Sequence, residues 1–246
     1  MRAPTPDCWS SSSCTWAGNS REHRLTPWSN DPVGDRSGEA IYVRDDDTGL
    51  LFGPTALPVR KASGHYLARH GRGYSRFEHT RADIALDLLQ FVPGDEPVKV
   101  SRLRIRNLSA RTRHLTLTAY VEWVLGTSRS STAPFVATEI DPVTGGMLAR
   151  NLWAGPETRV AFTDLGGLQT AWTGNRMEFI GRNGTLERPA ALATGAKLSG
   201  RTGAGLDPCG ALQTSVALAP NASLELVWLL GEADTTQAAQ AMIARW

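Results

Sequence analysis

Leu115, Leu117, Ala119, Val121, Trp123 and Leu125 alternate with Thr116, Thr118, Tyr120, Glu122 and Val124. A long period-2 run rich in Thr, Val and aromatics predicts a half-buried strand, because successive side chains point to opposite faces of a sheet. Leu224, Leu226, Trp228 and Leu230 form a second alternating set, predicted to pair with Ala211–Leu218 through the turn "APNAS". Further strands are predicted at Glu39–Arg44, Tyr74–Thr80, Ala82–Phe91, Val98–Arg106, Phe135–Ile140, Arg159–Asp164 and Met177–Ile180. The turn signals "DDDTG", "VPGDEP", "NLSAR", "DPVTGG" and "GRNG" separate them.

Only the C-terminus reads as helix. In "EADTTQAAQAMIARW", Asp234 and Gln237 suggest a capping box, and Ala239, Met242, Ile243 and Trp246 share one helical face. Many closely spaced strands with no crossover helices predict a large antiparallel β sandwich, since a parallel sheet needs a helix between its strands.

Composition narrows the function classes. With 246 residues, 41% hydrophobic, the chain can bury a sizeable core. A formal net charge of +2 gives no polyanion signature, and Lys occurs only at Lys61, Lys99 and Lys197. Cys8, Cys14 and Cys209 have no zinc spacing and an odd count, which points to a reducing compartment. The start "MRAPTPDCWSSSSC" lacks an apolar h-region, and no apolar run reaches a membrane-spanning length, so the expectation is a soluble cytoplasmic chain. The sequons at Asn107, Asn183 and Asn221 are then read as chance.

Candidate chemistry is sparse. Asp45, Asp46 and Asp47 fit a hairpin turn better than a calcium loop, because the twelfth position is Ala56 rather than Glu. His23, His65, His70, His79 and His114 show no metal-ligand spacing, so no metal is expected. "RHGRGYSRFEH", Arg69 to His79, places Arg72 between Gly71 and Gly73, as a ligand loop or a tight turn with solvated arginines. Arg182 lies in the Gly-rich "GRNGTL", which lacks the strand-to-helix context of a phosphate cradle. The segment "TWAGNSREHRLTPWSND" has no period and many turn formers. Its aromatic, Arg and Asn side chains suit either sugar contact or the pinning of a long loop. No catalytic set emerges.

That same segment, extended through "PVGDRSGEAIYVRDDDTG", resembles the glycoside-phosphorylase module of bacterial cyclic β-1,2-glucan synthases. The module falls in glycoside hydrolase family 94, formerly glycosyltransferase family 36. The resemblance continues through "RHGRGYSRFEHTRADIALDLLQFVPGDEPVKVSRLRIRNLS", "YVEWVLG", "TAPFVATEIDPVTGGMLARN", "EFIGRNGTLERPAAL" and "LSGRTGAGLDPCGALQ", covering Thr15 to Leu230. It implies an all-β super-sandwich of the galactose-mutarotase type over residues 15–232, after an atypical, disordered segment 1–14. Residues 233–246 would begin a helical linker to an (α/α) barrel that lies outside this chain.

The resemblance also implies a role. The chain would be a non-catalytic domain, inactive alone, that packs on the barrel and lends loops to the substrate entrance and a dimer interface. No catalytic residue, metal or cofactor is expected in it; inorganic phosphate is the parent enzyme's co-substrate and is not bound here. Candidate contacts to a β-1,2-glucan or β-glucoside, or to the barrel, are Trp16, Asn19, Arg21, Arg24, Trp28, Asn30, Asp31, Arg72 and Arg182. Nucleic acid is not an expected partner, and the full synthase would reach the inner membrane through segments outside this chain. Two alternatives stay open. One is an autonomous β-glucan-binding module; the other is an aldose-epimerase-like enzyme pairing His70 or His79 with Glu139 or Glu178.

Overall fold

The computed structural model describes residues 23–27, 37–59, 64–155 and 159–246. Two antiparallel sheets face each other. The small sheet has the order β11-β12-β7-β1-β2, built from β1 (Glu39–Asp45), β2 (Leu51–Phe52), β7 (Arg113–Glu122), β11 (Ala171–Asn175) and β12 (Pro208–Leu218). The large sheet has eight strands in the order β3-β4-β5-β6-β13-β10-β9-β8. These are β3 (Tyr66–Gly71), β4 (Tyr74–Arg81), β5 (Ile84–Phe91), β6 (Val98–Asn107), β8 (Val136–Ile140), β9 (Met147–Asn151), β10 (Val160–Asp164) and β13 (Ser223–Ala233). Four helices accompany them: α1 (Arg129–Thr132), α2 (Arg176–Ile180), α3 (Ala190–Thr194) and α4 (Thr236–Arg245).

Alternation decides which side of each strand meets the core. Along β7, Leu115, Leu117, Ala119 and Val121 join the inter-sheet core with Leu103 and Ile105 of β6 and Leu226 and Trp228 of β13. Arg102, Arg104 and Arg106, the alternate positions of β6, face solvent. The outer face of the small sheet carries a second core under α2 and α3, with Tyr42, Tyr120 and Phe179. The outer face of the large sheet carries a third under α4, whose Ala239, Met242 and Ile243 are buried as the helical stripe predicts. The cap sits one residue later than expected: Thr235 Oγ1 accepts from Ala238 N at 3.1 Å.

Three expectations are corrected. Strands β12 and β13 do not form a hairpin, since β12 pairs with β7 and β11 while β13 pairs with β6 and β10. "APNAS" is therefore an arch that carries the chain from one sheet to the other. Met177–Ile180 is helical: Asn175 caps α2 by accepting from Met177 N at 3.1 Å, and Phe179 stacks on Tyr120 with ring centroids 4.8 Å apart. The strand predicted to run to Leu125 stops pairing with β1 and β12 at Glu122, and Leu125 turns the chain at φ +50°. Strands β2, β3, β9 and β11 were not foreseen.

The aspartate cluster is the β1–β2 turn. Asp45 Oδ1 accepts from Asp47 N at 3.0 Å, and Gly49 closes the turn at φ +71°. One side of the sandwich is sealed by residues 199–203, where Thr138 N of β8 donates to Gly203 O and Gly174 N of β11 donates to Arg201 O. That short segment ties an edge of each sheet together.

Candidate functional site

The antiparallel registers bring the start of β1, the end of β7 and the start of β12 to one rim of the sandwich. Helices α1 and α2 begin there, and a charged network joins them. Arg129 Nε lies 2.8 Å from Glu122 Oε1, and Arg176 Nε donates to Glu122 Oε2 at 2.9 Å. Arg129 also pairs with Asp207, and Arg176 N donates to the Asp207 carbonyl at 2.7 Å. Burial works against the Arg176 charge, but Glu122 and Tyr120 outweigh it and the Arg176 pKa is raised. Two guanidiniums facing two carboxylates make a closed, neutral set. It locks α1 and α2 onto the sheet end and leaves no net charge for an anion.

Beside it runs the described part of the aperiodic segment. Arg24 and Gly126 exchange backbone bonds of 2.8 and 3.2 Å, and Val124 N donates to Leu25 O at 2.9 Å. Leu25 and Thr26 are buried, and His23 Nε2 sits 2.9 Å from Glu232 Oε2. Residues 23–27 are thus fastened across the rim as a short strand-like extension of β7. Next to them stands an aromatic pair. Phe135 and Trp153 have ring centroids 5.0 Å apart, and Trp153 is 76% exposed. Asn151 sets the pair's position by accepting from Trp153 N at 3.1 Å and donating to Leu125 O at 2.9 Å.

Of the candidates read from the sequence, Trp16, Asn19, Arg21, Trp28, Asn30 and Asp31 lie outside the described residues, as do segment 1–14, Cys8 and Cys14. Arg24 is on the rim. Arg72 is exposed in the two-residue turn between β3 and β4, with Gly73 at φ +80°. Arg182 is exposed just beyond α2, over the outer face of the small sheet. These three sit on separate elements of the sandwich. The charged network and the Phe135–Trp153 pair were missed in the sequence. Glu122 and Arg129 are close in the chain but Arg176 and Asp207 are far from them, and no local motif announces the set.

The epimerase-like pairs do not assemble. His70 and His79 are on β3 and β4, at one edge of the large sheet, and Glu139 is on β8 at the other, roughly 30 Å away by strand count. Glu178 is on the far side of the small sheet, its carboxylate taken up by Thr173 Oγ1 at 2.7 Å and by Ser199 N at 2.8 Å. His79 is buried in a stack on Tyr66, its Nδ1 3.1 Å from the His65 carbonyl. Among the described residues no group of three or more His, Cys, Asp or Glu is arranged to hold a metal ion.

The two-sheet β sandwich with helices on its outer faces is a fold found in other solved structures. Over 84% of this chain it superposes on a bacterial glucoamylase at TM-score 0.56 and 6% identity, covering 28% of that chain. Over 94% it superposes on a polysaccharide lyase at TM-score 0.54 and 10% identity, covering 32% of that chain. The family profile described as "Glycosyl hydrolase 94, supersandwich domain" matches residues 9–246, and the chain belongs to that family. It is 39% identical over 230 residues, 93% of this chain, to the cyclic beta-(1,2)-glucan synthase NdvB of Rhizobium meliloti. It is 28% identical over 85% of its length to the N,N'-diacetylchitobiose phosphorylase of Vibrio furnissii. The chain spans 8% of the synthase's length and 27% of the phosphorylase's. Among the described residues no helix is long and apolar enough to cross a membrane.

Proposed function

We propose that this chain is a non-catalytic supporting domain of a cyclic β-1,2-glucan synthase or a related β-glucoside phosphorylase. It packs on a catalytic barrel and lends its rim to the substrate entrance or a subunit interface. The observation that carries this reading is the 39% identity along 93% of the chain to a synthase of which the chain spans only 8%. The rim supports it, because its ionic groups are consumed in holding loops rather than left for acid–base work. The purified chain is expected to release no glucose 1-phosphate from sophorose and phosphate. Release above a buffer blank would overturn the reading.

The Phe135–Trp153 pair favours a second reading, an autonomous β-glucan-binding module. An exposed, positioned aromatic face suits a pyranose ring as well as a protein surface. Calorimetry of the isolated chain with linear β-1,2-glucan separates the two. Saturable micromolar binding that is lost in W153A supports the module; no heat at millimolar sugar removes it.

A further inference from the structure

On the inner face of the large sheet, Phe77, Leu88, Leu103 and Leu226 form a row of register partners that is wholly apolar. The neighbouring row is polar: Ser75, Gln90, Ser101 and Trp228. Opposite it, Glu39 projects from β1 of the small sheet and pairs with Lys99, two residues before Ser101. Between them lies a small pocket of about 20 Å³, partly open at its mouth and lined by Glu39, Ala40, Ile41, Pro54, Leu88 and Trp228 together with Thr55 and Gln90. Glu39 and Gln90 are each 95% buried, and Glu39 Oε1 and Gln90 Oε1 have no hydrogen-bond partner among the described residues.

Most side-chain donors lining the pocket are already committed; the second N–H of Gln90 Nε2 is the exception. Gln90 Nε2 donates to Ser101 Oγ at 2.9 Å, Thr55 Oγ1 to the Leu57 carbonyl at 2.7 Å, and Trp228 Nε1 to Thr163 Oγ1 at 2.7 Å. What remains is two acceptors and that one N–H. An occupant must therefore donate twice, since a buried acceptor without a donor costs roughly 1–3 kcal/mol. It must be neutral, because Lys99 already matches the Glu39 charge. It must also be about the size of one water, which needs on the order of 10–15 Å³ of such space.

We propose that this pocket is a binding site for a single ordered water molecule that donates to the buried Glu39 Oε1 and Gln90 Oε1, and so hydrogen-bonds β1 of the small sheet to β5 of the large one. The site lies directly beneath the rim, where Gly38, next to Glu39, meets Pro27 and Thr26 of the fastened segment. Water here completes a polar plug under the loop-bearing end of the sandwich. It does not depend on the glucan reading above.

A crystal structure of the full chain near 1.5 Å resolution tests it. The expected result is one density peak within about 2.6–3.2 Å of both oxygens. A closed cavity, or a Gln90 amide turned so that its nitrogen bonds Glu39 directly, would overturn the proposal. Water relaxation dispersion in solution gives an independent reading. Wild type is expected to hold one more long-lived water than Q90L, and equal counts in folded samples would also overturn it. If Q90L does not fold, Q90M serves in the same comparison.

Discussion

Asn107 has the outward form of a glycosylation sequon, yet it is fully buried and works as a staple. Its Nδ2 donates to the Arg111, Leu218 and Ala219 carbonyls at 2.7, 2.9 and 3.0 Å, and its Oδ1 accepts from Ser109 N at 3.0 Å. Those carbonyls belong to the two arches that cross between the sheets, so one side chain joins both crossings. N107A is expected to cost about 2–3 kcal/mol, since several buried backbone groups lose their partner together. Thermal melts should fall by roughly 5–10 °C. Glu232 carries a different prediction. Burial raises its pKa, but His23 and Arg159 outweigh that, and the folded value lies below the ordinary 4.5. A depressed carboxylate contributes stability above its unfolded pKa and loses it as pH falls through the folded one. The stability Glu232 contributes should therefore start to fall in the ordinary carboxylate range and go on falling below it, and E232Q should flatten that limb in melts recorded from pH 6 downward. Cys209 is buried and burial pushes its thiol far above the ordinary range. Mass-spectrometric mapping after alkylation should find it unmodified in the native chain and modified once unfolded.

At the scale of elements, five-residue helices and short strands decide more than the long ones. Helix α2 exists because Asn175 caps it and because Phe179 must reach the Tyr120 and Tyr42 rings, at 4.8 and 5.9 Å. F179A is expected to cost roughly 3–5 kcal/mol by opening the second core, with the far-ultraviolet circular dichroism little changed below the melt. The same element shows why the sequence misleads locally. "MEFI" has the apolar content of a strand, and a helix of that length shows no 3.6 period. Long strands such as β6, β7 and β13 were legible because alternation persists over many residues. Strand β9 and strand β11, each five residues long and the latter containing Gly174, offer too few positions for a period to register. The β12–β13 arch was misread for another reason: two alternating runs joined by a turn look alike whether they stay in one sheet or change sheets. Of the candidate site, the composition of the segment carrying Arg24 marked an aperiodic loop and left sugar contact and pinning both open; its described residues 23–27 are held by backbone bonds to residues 124–126. The network of Glu122, Arg129, Arg176 and Asp207 exists only after folding and had no local signal.

For the whole molecule, the question is what keeps two large sheets in one register. The apolar rows between them fix distance but not sliding, because Leu, Val and Ile faces tolerate small shifts. Two buried ion pairs at opposite ends of β1 supply direction. Glu39 meets Lys99 of the large sheet at the rim, and Asp45 meets Arg113, whose Nη1 donates to the Ala82 carbonyl between β4 and β5 at 2.7 Å. Such pairs are weak sources of net stability, because burial penalises both charges; burial raises the Glu39 pKa even with Lys99 beside it. They are sources of specificity, because a shifted register would part Glu39 from Lys99 and would part Arg113, held in its own sheet by Asp45, from the Ala82 carbonyl. This separates two outcomes in a double-mutant cycle. K99M alone should cost about 3–5 kcal/mol, since it strands the Glu39 carboxylate, whereas E39L/K99M should recover most of that loss. Denaturant unfolding of the four proteins measures it. An equal loss in K99M and in the double variant would show that the pair contributes net stability and would remove the register argument. Recovery with a lower m-value or a broadened transition would show the sheets still associated but no longer held in a single alignment.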